Sequence, residues 1–103
     1  MRRLLNYIRL RTFMKKIVLD GKKMTSVEET HAYIKEKLTL PDYYGMNLDA
    51  LWDLLSVDSK HKNISLINHE ALASNLGDYA ESLIKVFVDA SDSNNSIEFM
   101  QKD

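Results

Sequence analysis

Residues Leu40 to Leu55 read LPDYYGMNLDALWDLL, setting two tyrosines, a glycine, a helix start and two carboxylates one turn apart into a short stretch. Asn47 is a favourable N-cap, because its side-chain oxygen can accept from an otherwise unpaired amide of the first helical turn. Asp49 falls in that first turn, where negative charge suits the helix dipole, and Gly45 lets the chain turn sharply just before the cap. The pattern predicts a helix from Leu48 to about Ser56. Leu48, Leu51, Trp52 and Leu55 recur at helical spacing as its buried stripe, which leaves Asp49 and Asp53 together on a different face.

No base balances these acids locally. From Leu38 to Ser59 the chain has four aspartates and neither lysine nor arginine. A solvated helix in a small domain normally interleaves acids with bases, so Asp42, Asp49 and Asp53 read as a surface awaiting a cation. The same imbalance argues against nucleic acid as a direct ligand of this face and for a basic partner.

The formal charge of −1 hides an asymmetry. Residues 1–13, MRRLLNYIRLRTF, hold all four arginines and no acid, leaving ten lysines against fifteen acids in the remainder, a charge of about −5. A second methionine, Met14, follows this stretch. Residues 1–13 therefore read as a dispensable basic extension, an upstream start or a tail, and residues 14–103 as the domain proper. Two alternatives are a helix packed on the domain and a short amphipathic helix at a membrane surface, although Asn6 and Arg9 interrupt any signal-peptide core.

With 103 residues, 45% hydrophobic and 28% charged, the chain suits one domain with a modest core. The absence of cysteine excludes a disulfide framework or thiolate metal site and fits a reducing, cytoplasmic setting. No apolar run approaches the length of about 18 residues that a membrane span needs. GxGxxG, GxxxxGK[ST] and HExxH are absent, and no histidine stands at ligand spacing with another histidine or a carboxylate. No catalytic residue, metal or cofactor is implied, and His31 reads as a packed helix residue.

Along the chain, Lys16 to Asp20 has the Ile-Val-Leu content of a short buried strand ended by Gly21. Ser26 and Glu29 have capping-box spacing, opening a helix with Val27, Ala32, Tyr33, Ile34 and Leu38 on its apolar side and a stop near Pro41. Val57 to Asn63 reads as a turn and Ile64 to Ile67 as a second, central strand. Glu70 to Ala73 suggests a brief helix broken by Gly77. Asp78 would cap a stronger one that buries Tyr79, Leu83, Val86, Phe87 and Ala90. Ser91 to Asn95 reads as a loop before a closing strand around Ile97 and Phe99. Strands separated by helices predict an α/β fold: a small three-stranded parallel sheet with its helices mainly on one side.

The tyrosine pair, glycine, asparagine cap, aspartate, tryptophan and second aspartate, in that order, resemble the barstar family of intracellular ribonuclease inhibitors. The resemblance extends to KKIVLDG, Lys15 to Gly21, which is similar to the family's first strand and turn. It also takes in AESLIKVFVDA, Ala80 to Ala90, which is similar to its last helix. It implies that Asp53 is the principal phosphate-mimicking acid, Asp49 a second contact and Tyr43 a residue stacking in the ribonuclease cleft. Gly45 and Asn47 match flanking interface positions, and Asp89 stands where the type member has glutamate. Which of Tyr43 and Tyr44 is exposed the pattern leaves open, with Tyr43 favoured. Trp52, on the apolar stripe between the acids, reads better as packing than as contact.

The expected function is inhibition of a basic ribonuclease of microbial extracellular or toxin type, by a monomer acting in a heterodimeric immunity complex. One alternative is a noncatalytic adaptor using the acidic face on another basic protein. A second, a hydrolase using Asp49 and Asp53 as a carboxylate pair or cation site, lacks further ligands and a base. The sequence departs from the type member after the acidic helix, where Val57 and Asp58 replace glycine and tryptophan. Asn63 stands near the place of a proline before the second strand. These changes are expected to alter which ribonuclease is selected, and whether Asp58 substitutes for the lost aromatic contact stays open.

Overall fold

The computed structural model describes residues 15–102; the expectations for residues 1–13 lie outside them. Strand β1 (Lys15–Asp20) is followed by a single 3-10 turn, helix α1 (Val27–Leu38) and helix α2 (Leu48–Val57). Strand β2 (Lys62–Ile67) leads into α3 (His69–Leu76), α4 (Asp78–Ser93) and strand β3 (Ile97–Gln101). Both strand pairs are parallel, with order β1-β2-β3, and each connection is therefore a crossover that carries helices.

Register decides which side chains face the helices. Ile17 pairs with Ile64 and Ile64 with Phe99, while Leu19 pairs with Leu66 and Lys62 with Ile97. Ile17, Leu19, Ile64, Leu66 and Ile97 are buried on this face, whereas Val18 and Met100 on the opposite face are each 46% exposed. The helices thus cover one face, as the element order predicts. β1, read as a short buried strand from its aliphatic run, alternates between buried and exposed residues, because only one face of the sheet is covered among the described residues.

The helix termini are set by local chemistry, with several departures from the sequence reading. Ser26 accepts from the Glu29 amide at 3.1 Å, and Thr39 closes α1 in the left-handed conformation. The buried side of α1 consists of Thr30, His31, Ile34 and Leu38; Val27 and Ala32, assigned there from periodicity, are exposed. α3, the brief helix expected at Glu70–Ala73, runs longer, from His69 to Leu76. Gly77, at φ 60°, separates it from α4, so Asp78 lies inside the first turn of α4 and does not cap it. The expected Ser91–Asn95 loop begins only after Ser93. The Ser91 hydroxyl donates back to the Val88 carbonyl at 2.8 Å, and Asn94 ends the helix by donating its backbone amide to Ala90. The Asn94 side chain then donates to the carbonyls of Leu55 and Asp58, both at 2.8 Å, tying the end of α4 to the end of α2.

The expected turn from Val57 to Asn63 is shorter than the pattern suggested. Val57 finishes α2, and β2 begins at Lys62, whose backbone amide donates to Ser96. Lys62 is 6% exposed and its ammonium is ion-paired with Asp58. A cation at that depth needs its counter-charge, so Asp58 serves the fold. α2 packs on α4, α4 on β3, and Phe87 stacks on Phe99 at 5.1 Å. Leu51 and Leu55 are fully buried.

Leu51→Ala is expected to lower stability by about 3 kcal/mol through the cavity it leaves, with unfolding in urea followed by the emission of Trp52.

Candidate functional site

The segment from Leu40 to Leu55 divides its side chains between core and solvent at the tyrosine pair. Tyr43 is 80% exposed, and Tyr44 is 5% exposed with its hydroxyl 2.6 Å from His31 Nδ1. The Tyr44 amide donates to the Pro41 carbonyl at 3.0 Å and closes a turn with Tyr43 inside it, so the chain seats the Tyr44 ring in the core while Tyr43 stays in solvent. The preference for Tyr43 as the exposed partner agrees with this geometry. Tyr44, a secondary interface candidate, lies beneath the surface.

The sharp turn falls at Met46, which adopts φ 56°, and not at Gly45, whose φ is not positive. What Gly45 provides is space. A Cβ there would stand 3.2 Å from Ala50 Cβ and 3.4 Å from Asn47 Nδ2, crowding the start of α2. Asn47 is the N-cap: its Oδ1 accepts from the Ala50 amide at 2.8 Å, its Nδ2 donates to the Gly45 carbonyl at 3.1 Å, and its own carbonyl accepts from Leu51 at 3.0 Å. With the cap fixed, Asp49 and Asp53 stand one turn apart, both exposed.

The aspartates of this region fall into three environments. Asp42, read as unpaired, lies 3.7 Å from Lys35 Nζ, a cation from the preceding helix that local counting does not reach. Asp58 is paired with buried Lys62 and accepts the Lys60 amide at 2.9 Å, so it is not a solvent-facing replacement for an aromatic contact. Asp49 and Asp53 have no ion pair or side-chain hydrogen bond among the described residues. Asp89, on α4, is bound to Lys85 at 2.7 Å in an exposed pair one turn apart. Trp52 is half-buried against the core, in keeping with its reading as packing.

Two features escaped sequence reasoning. One is a shallow groove of about 310 Å³ beside α2, lined by Leu40, Pro41, Tyr43, Leu54 and Val57 with Lys60 at its edge; Val57 is 77% exposed. The other is the surroundings of His31, which is fully buried, with Nδ1 on the Tyr44 hydroxyl and Nε2 on the Tyr79 hydroxyl, each at 2.6 Å. Desolvation lowers the His31 pKa and keeps the ring neutral, and burial raises those of Tyr44 and Tyr79. Tyr44 is 13 residues away and Tyr79 is 48 away, so no periodicity joins the three.

Among the described residues no three His, Cys, Asp or Glu side chains gather to hold a metal, and no helix is long and apolar enough to cross a membrane. Residues 14–102 match the family model described as Barstar (barnase inhibitor). The chain is also 43% identical over 79 residues to the Bacillus subtilis (strain 168) protein named "Putative ribonuclease inhibitor YrdF". That match covers 75% of this chain and 86% of the relative.

The buried imidazole has a consequence for pH. As pH falls below 6.5 the unfolded chain takes up a proton at His31 before the folded chain does, so stability is full above 6.5 and declines towards the lowered folded value. Urea midpoints measured between pH 7.5 and 5 are expected to fall for the native chain and to flatten for His31→Gln.

Proposed function

The chain belongs to the barstar family of ribonuclease inhibitors, a family that inhibits without catalysing, and from that premise we propose that it blocks its ribonuclease by mimicking RNA phosphate. An enzyme that cleaves RNA gathers arginine, lysine and protonated histidine around the scissile phosphate. A carboxylate delivered into that cluster takes over the hydrogen bonds made to phosphate, bidentate where a guanidinium is met face to face. The observation that carries this reading is the exposure of Asp49 and Asp53 on one helix face with no cation of their own among the described residues.

In this reading Asp53 is the anchor, Asp49 a second acidic contact and Tyr43 the ring that stacks in the cleft. Gly45 and Asn47 hold the chain's approach to the helix. Asp89 adds a further acid from α4; its exposed pair with Lys85 is of the weak kind that a stronger cation displaces easily. The partner is a basic ribonuclease of microbial extracellular or toxin type, met in the cytoplasm in an immunity role by a monomeric inhibitor. Residues 14–103 suffice for binding. The groove beside Tyr43, lined by apolar side chains and by Asp58 and Lys60, differs in shape from one carrying a tryptophan at position 58 and helps select which ribonuclease is accepted.

Asp53→Ala is expected to weaken the ribonuclease complex about a hundredfold, as when a desolvated ion pair loses one partner, with the fold unchanged. Pull-down of the ribonuclease, an RNA-cleavage assay of what is captured and isothermal titration of both variants check this. Equal affinities would reject Asp53 as the anchor, and a captured basic protein without RNA-cleaving activity would favour an adaptor. Association should also slow with added salt, since charges more than about 8 Å apart are screened at physiological ionic strength.

A further inference from the structure

We infer that His31 is a positioning residue for the acidic face, the middle of a directed hydrogen-bond chain running from α4 through the core to the N-cap of α2. The inference rests on the reading of Asp49 and Asp53 as the binding face and names what holds them in place. The direction proposed takes the Asn47 carbonyl as the acceptor of the Tyr44 proton. The Tyr44 hydroxyl has one hydrogen, and the Asn47 carbonyl, 3.5 Å away, is the backbone acceptor within its reach. With that hydrogen on Asn47, the hydroxyl oxygen accepts from His31 at its 2.6 Å contact, and this assigns the imidazole proton to Nδ1. A neutral ring has no second proton, so Nε2 is an acceptor and Tyr79 donates to it at 2.6 Å. The chain therefore runs from the Tyr79 hydroxyl to Nε2, from Nδ1 to the Tyr44 hydroxyl, and from there to the Asn47 carbonyl.

Its two ends lie where the proposed interface needs rigidity. Asn47 caps α2 with its side chain and accepts the first helical hydrogen bond with the carbonyl that Tyr44 addresses. Any tilt of this residue is carried to Asp49 in the first turn and Asp53 in the second. Tyr79 sits in the first turn of α4, the helix that carries Asp89, and Tyr44 is the neighbour of exposed Tyr43. One buried imidazole thereby links the three segments supplying the candidate contacts, although neither His31 nor Tyr44 reaches the surface. His31 also packs against both rings, at centroid distances of 5.9 Å to Tyr44 and 6.0 Å to Tyr79.

The test needs no ribonuclease, so its outcome is separate from that of the Asp53 experiment. Nitrogen-15 NMR of the native chain at pH 7.5 should show His31 protonated on Nδ1 and bare on Nε2; the opposite tautomer would overturn the chain as drawn. Tyr79→Phe removes the first donor without touching the loop. Amide exchange at Ala50 and Leu51, both held by Asn47, should accelerate by up to about tenfold more than at Ile64 in the central strand. Acceleration equal at all three positions would mean that Tyr79 and His31 support overall stability only, and the positioning role would be rejected.

Discussion

A neutral imidazole held between two tyrosine hydroxyls in a closed core is the contact on which the arrangement of this molecule turns. His31 brings a donor and an acceptor into the core, and both must be matched there. Tyr44 and Tyr79 match them from elements far apart in the chain. Seating Tyr44 draws the loop before α2 onto α1 and turns Tyr43 out into solvent. Seating Tyr79 brings the start of α4 against the same point. An apolar side chain at position 31 could fill the volume but could not specify which hydroxyl lies on which side.

The aspartates show how environment assigns different work to one residue type. Lys62 begins the central strand at a depth where an ammonium must be neutralised, and Asp58 is committed to that task. Asp42 is drawn to Lys35 at the surface, a weak pairing in water. Asp49 and Asp53 project from the solvent side of a helix whose opposite side is anchored by Leu51 and Leu55 in the core. Because the helix is capped, packed on one side and tied at its end by Asn94, the backbone that carries those two carboxylates is held in place, with little backbone entropy left to lose on binding.

The elements legible in the sequence are those decided by nearest neighbours. The Ser26 and Asn47 caps, the Leu51 and Leu55 stripe, the exposure of Asp49 and Asp53 and the parallel order of strands all follow from spacing, and the structure has them. Readings that failed did so where a distant partner outweighed the local preference. Ser91–Ser93 is polar and loop-like, yet it continues α4 because Asn94 finds two carbonyls at the end of α2. Val27 and Ala32 are apolar, yet Thr30 and His31 take the buried side of α1. Gly45 looked like the turn, but the positive φ lies at Met46 and the glycine supplies clearance.

The amino-acid order alone determined a small α/β domain with its helices on one side of a parallel sheet, the family to which it belongs, and an acidic helix without local bases. The fold class and the acidic helix are consequences of periodicity and capping, which act over a few residues, and the family follows from the resemblance of its ordered motifs. Only the folded chain decided which tyrosine is buried, which aspartates are already paired, and that His31 joins three segments. Each of those depends on a contact between residues 4 to 48 positions apart, and a side chain's protons and charges are assigned by whatever the fold places beside it.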